Sequence, residues 1–158
     1  MPTNQHPPFV AALRKKDAYA ESVGKVRFLE TSSSYLFKAG EHYYKVKKTD
    51  SEYSNLAVKQ AFCQEEAKLL HRCNGEELHA EVVPISHQNQ SYAFGTTNGT
   101  PVEYALKTTA LTEKNLVGHL LDNKKLSAMA VGRIARKLAQ FHAESPTDDK
   151  SAQSQGRP

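Results

Sequence analysis

Apolar and aromatic positions alternate with polar ones through residues 27–48, RFLETSSSYLFKAGEHYYKVKK. Phe28, Tyr35, Phe37, Tyr43 and Val46 are residues that suit a pleated, half-buried surface, so the stretch predicts two strands ending on a lysine-rich run. Gly40 tolerates positive φ, which places the hairpin loop at 38–42. From Glu52 to Cys73 the period lengthens and neither Gly nor Pro intervenes, predicting one long helix. Thr49 with Glu52 three residues later is a capping-box signature at its start, and Asn74-Gly75 is a C-cap at its end. Further strands are expected at 82–85, at 91–94 and at 102–106. Pro84 marks the first as an edge or a bulge, and Asn98-Gly99 turns between the other two. Residues 9–16 read as a short helix, 116–121 as a short apolar turn, and 126–142 as a stronger helix. The last has the stripe Leu126, Ala130, Ile134, Leu138 and Phe141, with Arg133, Arg136 and Lys137 toward the other side. Five strands and one long helix make an α+β chain.

Length and composition narrow the class without naming a chemistry. A chain of 158 residues suits one domain with a moderate core. No apolar run is long enough to cross a membrane, and 9–13 is too short for the core of a signal peptide, so a cytoplasmic location is expected. Cys63 and Cys73 fall ten apart on the same expected helix, about 15 Å by helical rise, which rules out a disulfide between them there and fits reduced thiols. The formal charge of +4 points toward an anionic partner: nucleotide, RNA or an acidic surface. Residues 145–158 carry no apolar side chain larger than alanine or proline and are expected to be a disordered tail.

The candidate chemistry gathers at three places. Lys45 lies between Tyr44 and Val46, and two readings stand: a solvated edge lysine beside Lys47 and Lys48, or a strand lysine that binds phosphate. Glu66 has Phe62, Cys63, Leu69 and Leu70 as its helical neighbours. A carboxylate centred on an apolar stripe needs a cation, unless it lies at the margin and reaches water. Ser32, Ser33 and Ser34 interrupt the first apolar run. They form an ordinary bend, or small side chains that let backbone N–H groups approach an anion.

The segments PPFVAALRKKDAY, FLETSSSYLF, YYKVKK, FCQEEAKLL, VVPI, PVEYALK and LAQFHAESP occur in that order between residues 8 and 146. Together they resemble the front of an aminoglycoside phosphotransferase-like, hence protein-kinase-like, domain of the bacterial type that precedes a P-loop ATPase domain. The resemblance implies a small lobe built from a five-stranded antiparallel sheet and one long helix over 21–111, after an N-terminal stub and short helix at 1–20. The first helices of a large lobe would follow at 112–144, and the tail at 145–158. It implies ATP with Mg²⁺ as ligand, with Lys45 on the phosphates, Glu66 orienting Lys45, and Ser32, Ser33 and Ser34 over the phosphates. Residues 107–111, including Lys107, Thr108 and Thr109, would be the hinge whose backbone meets the adenine edge.

Phosphoryl transfer also needs a residue to orient the acceptor and carboxylates to hold the metal. In the resembled family these belong to a His-x-Asp loop, a following Asn and a later Asp. None of the seven histidines (His6, His42, His71, His79, His87, His119 and His142) is followed two residues later by aspartate. No Gly-Lys-Ser/Thr phosphate loop occurs either. No catalytic residue is therefore assigned, and the chain is expected to bind nucleotide without transferring phosphate on its own. A second reading is an interaction module or split half that docks a partner large lobe or P-loop domain, because an uncovered lobe surface would expose an apolar seam. RNA binding through the basic helix and Tyr43, Tyr44 and Tyr92 ranks last, since the strand pattern already accounts for those rings.

Overall fold

A computed structural model describes residues 6–48, 55–74, 78–95, 99–112, 114 and 116–145. The chain divides into two compact units, Met1–Ala110 and Leu111–Pro158. The first is α+β, with a six-stranded antiparallel sheet and helices. Its strands are β1 (Arg27–Glu30), β2 (Ser34–Ala39), β3 (His42–Lys47), β4 (Ala80–Gln88), β5 (Ser91–Phe94) and β6 (Thr100–Thr109). Helix α1 (Pro8–Leu13) precedes β1, and α2 (Leu56–Asn74) connects β3 to β4. The spatial order is β1-β2-β3-β6-β4-β5, so β6 inserts between β3 and β4.

Six strands rather than five follow from the serine cluster, which is a turn rather than an interruption within one strand. Thr31 closes it: its backbone N–H donates to the Ser34 carbonyl at 2.9 Å, and its Oγ1 accepts from the Ser34 N–H at 2.9 Å. β1 therefore folds back on β2 with Glu30 opposite Tyr35. The next turn falls where Gly40 predicts it, at φ +57° with Ala39 facing His42. The expected capping box at 49–52 lies outside the described residues. At the start of α2, Asn55 accepts from the Ala57 N–H through Oδ1 at 2.8 Å.

Pro84 falls within β4, which has neighbours on both sides, rather than on an edge strand. Its missing N–H is accommodated locally. The Gly95 N–H donates to the Pro84 carbonyl at 2.9 Å, and the Gly95 carbonyl, which a residue other than proline could have satisfied, accepts instead from Ser86 Oγ at 2.6 Å. A bulge follows at Ile85/Ser86. Beyond it, β4 turns into β5 through Asn89 and Gln90, both with positive φ (48° and 63°), the geometry of a two-residue hairpin whose twist suits the flanking strands.

The period of two separates the sheet into two faces. One carries Tyr35, Phe37, Ala39, Tyr44, Val46, Ile85, Phe94 and Ala105, and is covered by Val10 and Leu13 of α1 with Ala18 and Tyr19 just after it. Tyr19 is locked there by its hydroxyl, which donates to the Leu13 carbonyl at 2.8 Å. On the other face Leu36, Lys45, Leu106 and Val82 lie in register across β2, β3, β6 and β4, and Ala67 and Leu70 of α2 pack on the β4 and β6 side. In the second unit, α3 (Val117–Asp122) and α4 (Ala128–Ala143) are joined by a short turn, and Ser127 caps α4 by accepting from the Ala130 N–H at 3.1 Å. None of the described helices is long and apolar enough to cross a membrane.

Phe37 is fully buried, whereas Leu29, on the neighbouring strand and the other face, is 61% exposed. Phe37→Ala is expected to cost about 3–5 kcal/mol and Leu29→Ala less than about 0.5 kcal/mol in urea unfolding. Equal midpoints for the two variants would contradict the assignment of faces.

Candidate functional site

With Tyr44 and Val46 committed to the core, Lys45 must project from the opposite face of β3. There α2 presents Glu66, and Lys45 Nζ donates to Glu66 Oε1 at 2.5 Å. The carboxylate that the helical pattern places among apolar neighbours thus has its cation. Both partners remain partly open to water, the lysine side chain at 37% and the glutamate at 25%. An ammonium carries three donors. Glu66 is the hydrogen-bond acceptor that Lys45 has among the described residues, which leaves donors to face an anion.

One further ion pair lies on the α2 side of the sheet, and Glu30 of β1, opposite Tyr35 on the core side, gathers two more partners. Lys59 of α2 pairs with Glu103 of β6, whose side chain is 4% exposed and whose other oxygen accepts from the Tyr104 N–H at 3.0 Å. Lys48 and His6 both reach Glu30, at 2.6 and 2.8 Å. Those hydrogen bonds, the Lys48 one foremost, hold the Glu30 carboxyl below its usual range. Lys47 lies over the Phe62 ring, 3.6 Å from its centroid. Cys63, between Lys59 and Glu66 on the helix, is buried, and burial reinforced by Glu66 and Glu103 pushes its thiol up to about 11. So high a value leaves little thiolate at neutral pH, which makes Cys63 a packing residue rather than a nucleophile.

The remaining expected site residues divide. Thr108 faces Tyr43 across the β3–β6 ladder, next to the Lys45–Leu106 pair and on the same face. Ser34 is buried and opens β2 opposite Lys47, two register positions from Lys45, while Ser32 and Ser33 are exposed in the turn. The Ser33 carbonyl accepts from the Lys48 N–H at 2.8 Å, tying that turn to the end of β3. Lys107 is not with them. It pairs with Tyr44, on the core side of the sheet, and its ammonium binds Glu81 at 2.9 Å. Thr109 follows the alternation to that side too. The stretch expected as a hinge is still ladder at Lys107, Thr108 and Thr109. The backbone N–H groups of Thr109 and Ala110 are taken by the carbonyls of His79 and Glu41. Hydrogen bonding to an adenine edge from those two donors would require breaking the bonds that tie the end of β6 to His79 and Glu41.

Glu103 and Lys59 escape sequence reasoning because they are 44 residues apart and neither stands out in its own periodicity. The available signal is a charged residue within the strand-favouring run 102–106. Among the described residues no group of three or more His, Cys, Asp or Glu side chains is placed to hold a metal ion. Comparison of the chain with protein-family models, with curated proteins and with solved structures returns no match.

The buried pair should behave differently from the half-open one. Glu103→Gln or Lys59→Met strands a buried charge and is expected to lower unfolding stability by about 3–5 kcal/mol, whereas Lys59→Met with Glu103→Leu together should recover most of it. A double variant no more stable than the singles in urea denaturation would contradict the pairing.

Proposed function

We propose that the first unit is a protein-kinase-like small lobe of the aminoglycoside phosphotransferase type that binds a nucleoside triphosphate through the phosphates, with ATP as the expected ligand. The observation that carries this reading is the Lys45–Glu66 pair. In kinases a lysine on the third strand holds the nucleotide phosphates and is oriented by a glutamate on the helix that follows. Here the lysine is on β3, the glutamate on the next helix, and the lysine is open enough to be shared between a carboxylate and a phosphate. Ser32 and Ser33, exposed in the β1–β2 turn, supply hydroxyls at the same end of the sheet.

Nucleotide binding is as far as the reading goes. The described residues offer no carboxylate set for Mg²⁺, and no phosphoryl-transfer step is assigned to this chain. A lobe that encloses one side of a nucleotide should bind weakly, with Kd on the order of 1 mM, about −4 kcal/mol. Calorimetry with ATP at fixed salt is expected to give such a value for the natural chain, a loss of about tenfold or more in Lys45→Ala, and a smaller loss in Glu66→Gln. Undiminished binding in a folded Lys45→Ala variant would exclude Lys45 as the phosphate ligand.

A second reading, docking of a protein partner such as a large lobe or P-loop domain, draws on the second unit. Leu121, Met129 and Leu138 of α3 and α4 are 62%, 72% and 53% exposed, a density of apolar surface typical of contact regions. Nucleotide binding by the first unit and docking by the second are compatible.

A further inference from the structure

On the core side of the sheet a half-open hollow of about 130 Å³ lies beside Lys107, with Glu21 at its rim and Tyr44, Val83 and Phe94 forming its walls. Its size is close to that of an engineered cavity, about 150 Å³, that admits benzene. The walls are mostly apolar and aromatic: Tyr44 and Phe94 are packed with ring centroids 4.3 Å apart. The polar groups are few and specific. Tyr44 is 6% exposed and lines the hollow, and no buried side-chain polar atom among the described residues lacks a hydrogen-bond partner. Burial, together with Glu21 and Glu81 and against the pull of Lys107, raises the Tyr44 pKa, so the hydroxyl stays neutral and keeps a proton to donate and lone pairs to accept.

The charges around that hydroxyl do not balance. Lys107 Nζ is 2.9 Å from Glu81 and 3.8 Å from Glu21. Burial works against the ammonium, but the Glu81 hydrogen bond and the charges of Glu81 and Glu21 outweigh it and raise its pKa, so Lys107 is charged at neutral pH. Two carboxylates then face one ammonium. His79 is 4.0 Å from Glu81, with its side chain 69% exposed. Lys107 is committed to Glu81, and Glu21 is held only loosely, so the unspent charge at the rim is negative. A strong anion site would show the opposite imbalance.

We infer that this hollow is a second ligand site, on the face opposite Lys45, for a small organic cation with a flat apolar body of about one ring. The body would fill the space against Val83, Phe94 and the Tyr44 ring, the cationic group would meet Glu21, and the Tyr44 hydroxyl would supply a hydrogen bond. Such pockets, apolar with a few placed polar groups, are the usual form of small-molecule sites. Cation attraction to aromatic faces adds to the same preference. The inference is independent of nucleotide binding, which uses the other face.

The test uses three probes of one shape and different charge, namely benzylammonium, benzyl alcohol and benzoate, titrated into the ¹⁵N-labelled full chain and followed through backbone amide shifts. The expected result is saturable movement of the Val83, Gly95 and Lys107 amides with Kd in the low-mM range for benzylammonium, weaker binding of benzyl alcohol, and none of benzoate. Glu21→Gln should weaken benzylammonium about threefold or more and remove its advantage over benzyl alcohol. Tyr44→Phe, which keeps the ring and therefore the core, should weaken both. Benzoate binding as well as benzylammonium, shifts scattered over the surface or absent, or an unchanged preference in Glu21→Gln would each overturn the inference. ATP added at saturation should leave the three amides responsive to benzylammonium.

Discussion

The alternation of β3 is the constraint on which the rest of the first unit depends. Tyr44 and Val46 are held in a core closed by α1 and Tyr19, and a strand cannot turn two neighbours inward without turning the residue between them outward. Lys45 is therefore fixed in direction by apolar packing on the face it does not share. A one-residue slip would exchange Tyr44 and Val46 for Tyr43, Lys45 and Lys47 in the core, burying two ammonium groups. That cost makes the register firm without help from the lysine. Glu66 is placed as indirectly, by Ala67 and Leu70 packing on β4 and β6 next to it in α2. Two hydrophobic contacts thus position one ion pair.

The ion pairs of the structure separate by burial into structural and available ones. Lys59–Glu103 is almost removed from water, so its two charges depend on each other and on the Tyr104 N–H, and neither can be spared for a ligand. Lys45–Glu66 is more exposed, where screening by water leaves a pair worth no more than about 1 kcal/mol. A pair that adds so little to folding can give up part of its interaction to an incoming anion at small cost. Lys107 belongs to a third kind: its charge is anchored to Glu81 yet it borders an open hollow, so it sets the local field rather than offering itself as a ligand.

Much of this was legible in the residues. The Gly40 turn, a long helix ending near Asn74, all the strands except the split at the serine cluster, and a cation for Glu66 as one of two readings follow from local periodicity and from the cost of an unpaired charge. What sequence left open was decided by contacts between distant segments. Whether Tyr43 or Tyr44 faces the core depends on the N-terminal segment, whose Val10, Leu13 and Tyr19 choose the side they cover. The serine cluster is locally ambiguous, and the Thr31–Ser34 hydrogen bonds make it a turn. Pro84 argues locally for an edge or a bulge, and a bulge follows it at Ile85/Ser86. The proline is tolerated inside the sheet because Ser86 replaces the lost donor two residues on, a compensation that only the fold of β5 against β4 reveals. Lys107, one residue from Thr108 in the chain, is on the other side of the sheet from it, a parity set by the β3–β6 ladder continuing through the expected hinge.

The central claim is that Lys45, turned from the core and held by Glu66, meets a nucleotide's phosphates. The most direct measurement is the ammonium ¹⁵N signal of each lysine during titration with ADP and then with adenosine. The account predicts that ADP moves the Lys45 signal, leaves Lys59 and Lys107 in place, and that adenosine, lacking phosphates, leaves all three unmoved. Movement of Lys107 with Lys45 unmoved, or no difference between ADP and adenosine at Lys45, would contradict it.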